Sequence, residues 1–191
     1  GTAYSAVQLT GGASNMIRGD DVSGGYQSYK QLARSLRDLG AWMHCCYVVD
    51  TTDAADDRAK FYINGVRDET LDSTYELNYS LNDDTYWSAS GTELGIGLDN
   101  AGGGSYFGGY LADIHYIDGQ ALPPTSFAEE DATTGQWKPK AFSGTYGTNG
   151  FHLAFEDSSN IGLDSRGSGG AIVSWDTSKY RASKPTPSWS Q

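Results

Sequence analysis

Trp42-Met43-His44-Cys45-Cys46-Tyr47-Val48-Val49, then Ala59-Lys60-Phe61-Tyr62-Ile63-Asn64-Gly65, decide the fold class. In an extended chain alternate residues share a face. Trp42, His44, Cys46 and Val48 then lie on one side, and Met43, Cys45, Tyr47 and Val49 on the other. Both sides are mostly apolar, which reads as a central strand covered on both faces. Ala59 to Ile63 reads as the next strand, with Phe61 and Ile63 on one face. Asn64-Gly65 ends it with the strongest hairpin signal in the chain, because a type I′ turn needs positive φ at both central positions.

Working outward, Tyr4 to Thr10 reads as a strand stopped by Gly11-Gly12. Asp20 to Gly25 reads as a loop and Gln27 to Leu36 as a strand. Glu69 to Asp84 is polar and reads as a long loop or an edge hairpin. Glu93 to Leu98 is a short strand, followed by a Gly-rich loop over 99–105. Gly109 to Ile117 is expected to be a strand with Tyr110, Ala112, Ile114 and Tyr116 on one face. Asp118-Gly119 turns it and Pro123-Pro124 blocks its continuation. Thr125 to Asp131 is expected to make a helical turn with Thr125 as its N-cap. Phe151 to Phe155 is a further strand. Side chains of Trp42, Phe61 and Ile114 are expected to converge between two stacked sheets. The class is all-β, a two-sheet antiparallel sandwich.

The chain has 191 residues, enough for one sizeable domain. It carries 25 Gly and 13 Tyr but only 5 Pro, a composition suited to short strands and tight turns. Formal net charge is −11 and no Lys/Arg cluster offers phosphate neutralisation, which argues against nucleic-acid binding. No apolar run approaches the ~20 residues that span a bilayer. The start shows neither an initiator Met nor a secretory leader, and reads as a processed product, a fragment or an excerpt. The domain reading is a sandwich over 1–142 and a C-terminal β segment over 143–177. That segment either packs back on the sandwich or opens a truncated second module. Residues 178–191 read as a tail.

Candidate chemistry is sparse. Cys45 and Cys46 are adjacent and cannot staple distant segments, so they read as small, buried, reduced side chains. Retaining glycoside hydrolysis needs two carboxyl groups ~5–5.5 Å apart, and no strand carries alternating carboxylates. Glu129-Glu130-Asp131 is expected in a turn, and Glu93 with Asp99 lacks a third partner. No Gly-x-Ser-x-Gly elbow is present. His44, His115 and His152 all fall in expected strands and read as structural, with His115 the one most open to solvent. No catalytic residue is assigned. Glycan contact needs an aromatic face beside polar donors, for which Tyr86, Trp87, Asp99, Asn100 and Tyr106 are the candidates. Calcium would need carboxylates on a loop rim, for which Asp50, Asp53 and Asp99 are the candidates within a wider acidic set that includes Asp56, Asp57 and Asp113. Arg18-Gly19-Asp20 matches an integrin-recognition tripeptide and Asn78-Tyr79-Ser80 a glycosylation sequon; both are too short to argue from.

Several blocks carry a resemblance. They are Ala41 to His44, Val49 to Thr52, Lys60 to Gly65, Gly109 to Asp113 and Ile117 to Leu122. Most distinctive are Asp131-Ala132-Thr133-Thr134-Gly135-Gln136-Trp137-Lys138-Pro139-Lys140 and Gly144-Thr145-Tyr146-Gly147-Thr148-Asn149-Gly150-Phe151. Together they resemble the laminin-G-like, concanavalin A-like jelly-roll domains of tailed-phage virion proteins, over about two-thirds of the chain. Residues 1–37 and the stretch from Gly169 to Trp175 depart from that pattern. The resemblance implies a non-enzymatic tail-fibre or capsid-surface component on the virion surface. Its partners would be other virion copies, with host-surface glycans met at the rim loops. No cofactor is required, and Ca²⁺ is the one the resemblance allows. The alternative is a lectin-like module of a secreted or cell-surface protein; a glucanase-like hydrolase ranks below both.

Overall fold

The computed structural model describes residues 4–10, 16–23, 26–38, 40–87, 93–94, 96 and 107–166. Among these the chain is all-β, with two single-turn 3-10 helices as its only helical elements. β1 (Tyr4–Thr10), β2 (Met16–Ser23), β3 (Tyr26–Leu32), β7 (Leu71–Leu77) and β8 (Glu93–Leu94) form a five-stranded sheet in the order β7-β3-β2-β1-β8. Its ladders are antiparallel except for the short parallel contact of β8 with β1. β4 (Cys45–Val49), β5 (Ala59–Ile63) and β6 (Val66–Asp68) form a three-stranded antiparallel sheet. β9 (Ile114–Tyr116) pairs with β12 (Phe151–Leu153), and β10 (Ala128–Glu130) with β11 (Trp137–Pro139), both antiparallel. No helix among the described residues is long and apolar enough to cross a membrane.

The core lies where the two larger sheets meet. Ile17 of β2 and Leu32 of β3 pack with Leu36 and with Phe61 and Ile63 of β5; Met43, Tyr47 and Leu71 close around them. β5 alternates buried and half-buried residues along its whole length, which is the period-2 signature of a strand with one covered face. Tyr47 stacks on Phe61 with ring centroids 4.5 Å apart.

The Asn64-Gly65 turn has the geometry its sequence demands, with φ of 48° and 77°. Asn64 also grips the chain opposite: its side-chain oxygen accepts from the His44 amide at 2.9 Å, and its own amide donates to the His44 carbonyl at 2.9 Å. The Trp137 indole lies over Gly65, leaving no room for a Cβ there.

Several expectations are corrected. The apolar run from Trp42 does not ladder from its start: β4 begins at Cys45 and is an edge strand, with β5 central. β4 can only pair as far as β5 extends, and Cys45 already faces Ile63, the last residue before the turn. Trp42 is therefore 37% exposed instead of joining Phe61 in the core, and Cys45 is exposed too. Burial pushes the Cys46 thiol up to about 12. Ile114 is half-buried in the separate β9–β12 pair. Asp20 to Gly25 is expected to be a loop, yet Asp20 and Asp21 lie in β2 and are almost fully buried. Arg18 pairs with Asp20 at 2.6 Å, and the Tyr86 amide donates to both Asp21 oxygens at 3.1 Å. Those partners outweigh the loop preference of an acidic pair, and they hold the Arg18-Gly19-Asp20 tripeptide inside a strand with Gly19 and Asp20 buried. Thr125 sits within a 3-10 turn (Pro124–Ser126) that Pro123 precedes, and Glu129 and Glu130 belong to β10. The Gly-rich loop over 99–105 and the tail over 178–191 lie outside the described residues.

Candidate metal centre

Strand pairing builds a group of two histidines and a carboxylate that could hold a metal ion, the one such group among the described residues. β9 and β12 run antiparallel, with His152 directly opposite His115. Directly opposed residues place their side chains on the same face of the pair. The two imidazoles stack, centroids 4.1 Å apart and planes 8° from parallel. Asp113 sits two residues before His115, and its φ of 52° turns the backbone into the left-handed region just ahead of β9. Its Oδ1 lies 2.6 Å from His152 Nε2 and 3.5 Å from His115 Nε2. One ligand atom from each of Asp113, His115 and His152 falls within 4.8 Å of the other two.

The surroundings fix this arrangement. The loop from Gly144 to Gly150 is clamped to the Asp118-Gly119 turn. The Asp118 amide donates to the Tyr146 carbonyl at 2.9 Å, and the Asn149 amide donates to Asp118 Oδ2 at 3.1 Å. Gln120 Nε2 donates to the Thr145 carbonyl at 2.9 Å. The clamp brings the Tyr146 hydroxyl to 2.9 Å from His115 Nδ1. Asp164 accepts from the amides of His152 and Arg166 at 3.1 Å each, and Arg166 Nε meets its other oxygen at 2.6 Å. The Arg166 guanidinium then covers the Tyr146 ring, 5.6 Å from its centre. Phe127 and Phe142 wall the far side of His115, at centroid distances of 5.2 and 6.2 Å. The whole faces a cleft of about 430 Å³ with Pro139, Lys140 and Ala141 on its rim.

Electrostatics follow from this packing. His115 and His152 beside it hold the Asp113 carboxyl well below the usual carboxylate range. Burial, and then repulsion from His115, lowers the pKa of His44, with Asp113 opposing. Both shifts destabilise the fold in acid, in separate windows. A histidine lowered by folding resists the proton its unfolded form accepts, so stability falls as pH drops below the ordinary value of 6.5. A depressed carboxylate contributes stability that is fully present above its unfolded value of 3.8 and is lost as pH falls toward the folded value. Urea midpoints measured against pH are expected to show both limbs. His44→Gln should flatten the upper one. Asp113→Asn should shallow the lower one without removing it, because Lys60 holds Asp53 low and Lys138 holds Asp131 low as well.

Of the residues singled out from sequence for glycan or calcium, Asp113 of the wider acidic set belongs to this cluster, whereas Tyr86, Trp87, Asp50 and Asp53 lie elsewhere. Trp87 is half-buried: its Nε1 donates to the Tyr79 hydroxyl at 3.1 Å, its carbonyl accepts from the Tyr116 hydroxyl at 2.8 Å, and its ring tilts on Tyr47 at 5.7 Å. With the Tyr86 amide on Asp21, the Tyr86-Trp87 step ties three sheets together. Asp50 accepts from the Thr52 amide and hydroxyl, and Asp53 pairs with Lys60 at 2.6 Å. Asp50 thus braces its own turn, and Asp53 ties that turn to β5. Asp99, Asn100 and Tyr106 lie outside the described residues. His115, expected to be the most open histidine, is only 9% exposed at its side chain, against 22% for His152. The signal available in sequence was Asp113-x-His115 on one strand and His152 on another; the register that joins them was not. Comparison with family models, curated proteins and solved structures gave no match for this chain.

Proposed function

We propose that the chain is a non-enzymatic structural protein of a tailed-phage virion, a tail-fibre or capsid-surface component. Its short sheets would be the parts of a laminin-G-like jelly roll. The observation that carries this reading is where the two most family-like blocks fall. Asp131 to Lys140 delivers Trp137 onto the Asn64-Gly65 hairpin, and Gly144 to Phe151 wraps the Asp118-Gly119 turn and leads into β12. Each of these two blocks of the resemblance thus joins a turn that lies far from it in sequence. Assembly would use the unpaired edges. Val66 is 71% exposed on edge strand β6, and Tyr110 and Leu111 stand 65% and 43% exposed ahead of β9. Exposed apolar side chains beside an open edge are what a neighbouring copy covers, while a net charge of −11 keeps free copies in solution.

A second reading, a lectin-like module, draws on the cleft, where Phe142 and Tyr146 stand beside Asp113 and Lys140. Aromatic faces next to charged groups suit sugar rings, and repeated copies would raise weak contacts into avidity. Sedimentation across a wide concentration range separates the two. Self-association that Val66→Lys weakens supports the structural protein. A chain that stays monomeric and binds a glycan array as a monomer favours the module, and sugar release from β-glucan overturns both.

A further inference from the structure

We propose that Asp113, His115 and His152 bind a first-row divalent transition metal, zinc being the fitting case, and that the ion clamps β9 to β12. The inference stands apart from the virion reading. Its first support is a poorly satisfied group. His115 Nε2 is buried, in a side chain more than nine-tenths buried, and makes no well-formed hydrogen bond: its polar neighbour is Asp113 Oδ1 at 3.5 Å, and it lies within 4.8 Å of His152 Nε2. A buried polar nitrogen with so long a contact is poorly satisfied, and a metal ion at this place would satisfy it. The second support is the ring's other nitrogen. Tyr146 holds His115 Nδ1 at 2.9 Å. With the proton on Nδ1, the hydroxyl oxygen accepts it and Nε2 presents its lone pair. Metal-bound histidines are oriented this way, by a partner on the nitrogen that does not ligate.

The donor set selects the ion. Two imidazole nitrogens and one carboxylate oxygen suit zinc and its neighbours, whereas calcium and magnesium take oxygen ligands. Three protein ligands leave a position open toward the cleft for water. Zinc bonds of ~2.0–2.2 Å in tetrahedral geometry set ligand atoms ~3.3 Å apart. The 2.6 Å contact of His152 with Asp113 must therefore widen, and the stacked rings must tilt so that their lone pairs converge. The ion replaces that contact. The benefit is local: β9 and β12 share only three paired residues, a ladder too short to hold on its own. An ion bound only by the folded pair stabilises it in proportion to the logarithm of its concentration.

The test uses the full chain after chelator treatment, titrated with ZnCl₂ and separately with CaCl₂, with calorimetry and thermal melting read together. One equivalent of zinc should bind and raise the melting temperature, and calcium should do neither. His152→Gln and Asp113→Asn should each weaken zinc at least about tenfold. Cobalt(II) on the unmutated chain provides the check that needs no variant to fold. Ligand-field bands without thiolate charge transfer support the site. A thiolate band places the ion at Cys45-Cys46 and overturns it, as does zinc affinity unchanged in both variants or no zinc binding at all.

Discussion

Replacing Gly150 with alanine is expected to unseat β12 and destabilise the protein by more than about 3 kcal/mol. Gly150 is buried, and a Cβ there would run into the carbonyl oxygens of Tyr146 and Tyr116. Both obstacles are backbone, so no rotamer change relieves them. Tyr116 is the residue that Phe151 pairs with, and the clash therefore opens the β9–β12 ladder at its end. Phe151 and Leu153, 5% and 0% exposed, lose their seat, and His152 loses its register against His115. Near-ultraviolet circular dichroism should lose much of its aromatic signal, because Phe127, Phe142, Tyr146 and the two histidines form one contiguous group of rings. An alanine variant that melts with the parent chain and keeps that signal would show that β12 is not seated as described.

Phe61→Ala is the second large effect, at about 3–5 kcal/mol. Phe61 is 2% exposed at the centre of β5, with Ile17, Leu32, Leu36 and Ile63 around it. Truncation leaves a cavity that two sheets line, and neither can collapse into it without breaking ladders on both sides of β5. Tyr47 loses its stacking partner, and burial already holds its hydroxyl far above the usual tyrosine range. For a chain of this size the expected fall in melting temperature is on the order of 10 °C. Phe61→Leu should recover more than half of it. Equal losses for alanine and leucine would mean that ring stacking, and not filled volume, sets the stability of this core.

The parts of the fold legible in sequence are those decided locally. β1 spans Tyr4 to Thr10, the bounds read from sequence, and Asn64-Gly65 turns as its φ preference requires. Where one segment needs another to define it, the reading slips. Trp42 belongs to an apolar run, but the end of β5 decides where pairing stops. Asp20 and Asp21 look like loop residues until Arg18 and the Tyr86 amide are brought to them. The Asp113, His115 and His152 cluster was hidden for the same reason. Each histidine alone reads as a structural strand residue, and only the register of β12 against β9 makes the three a group.

The seating of Trp137 on the β5–β6 turn has a consequence for synthesis. A hairpin closes in ~1–10 μs, while a ribosome adds ~5–20 residues per second. The Asn64-Gly65 hairpin is therefore closed for seconds before its indole cover leaves the exit tunnel. During that interval the turn must hold by its own backbone preference, with an open strand edge and no lid. A dipeptide that tolerates left-handed angles unaided is what vectorial production of this chain requires, and the later arrival of Trp137 converts a transient hairpin into a permanent joint.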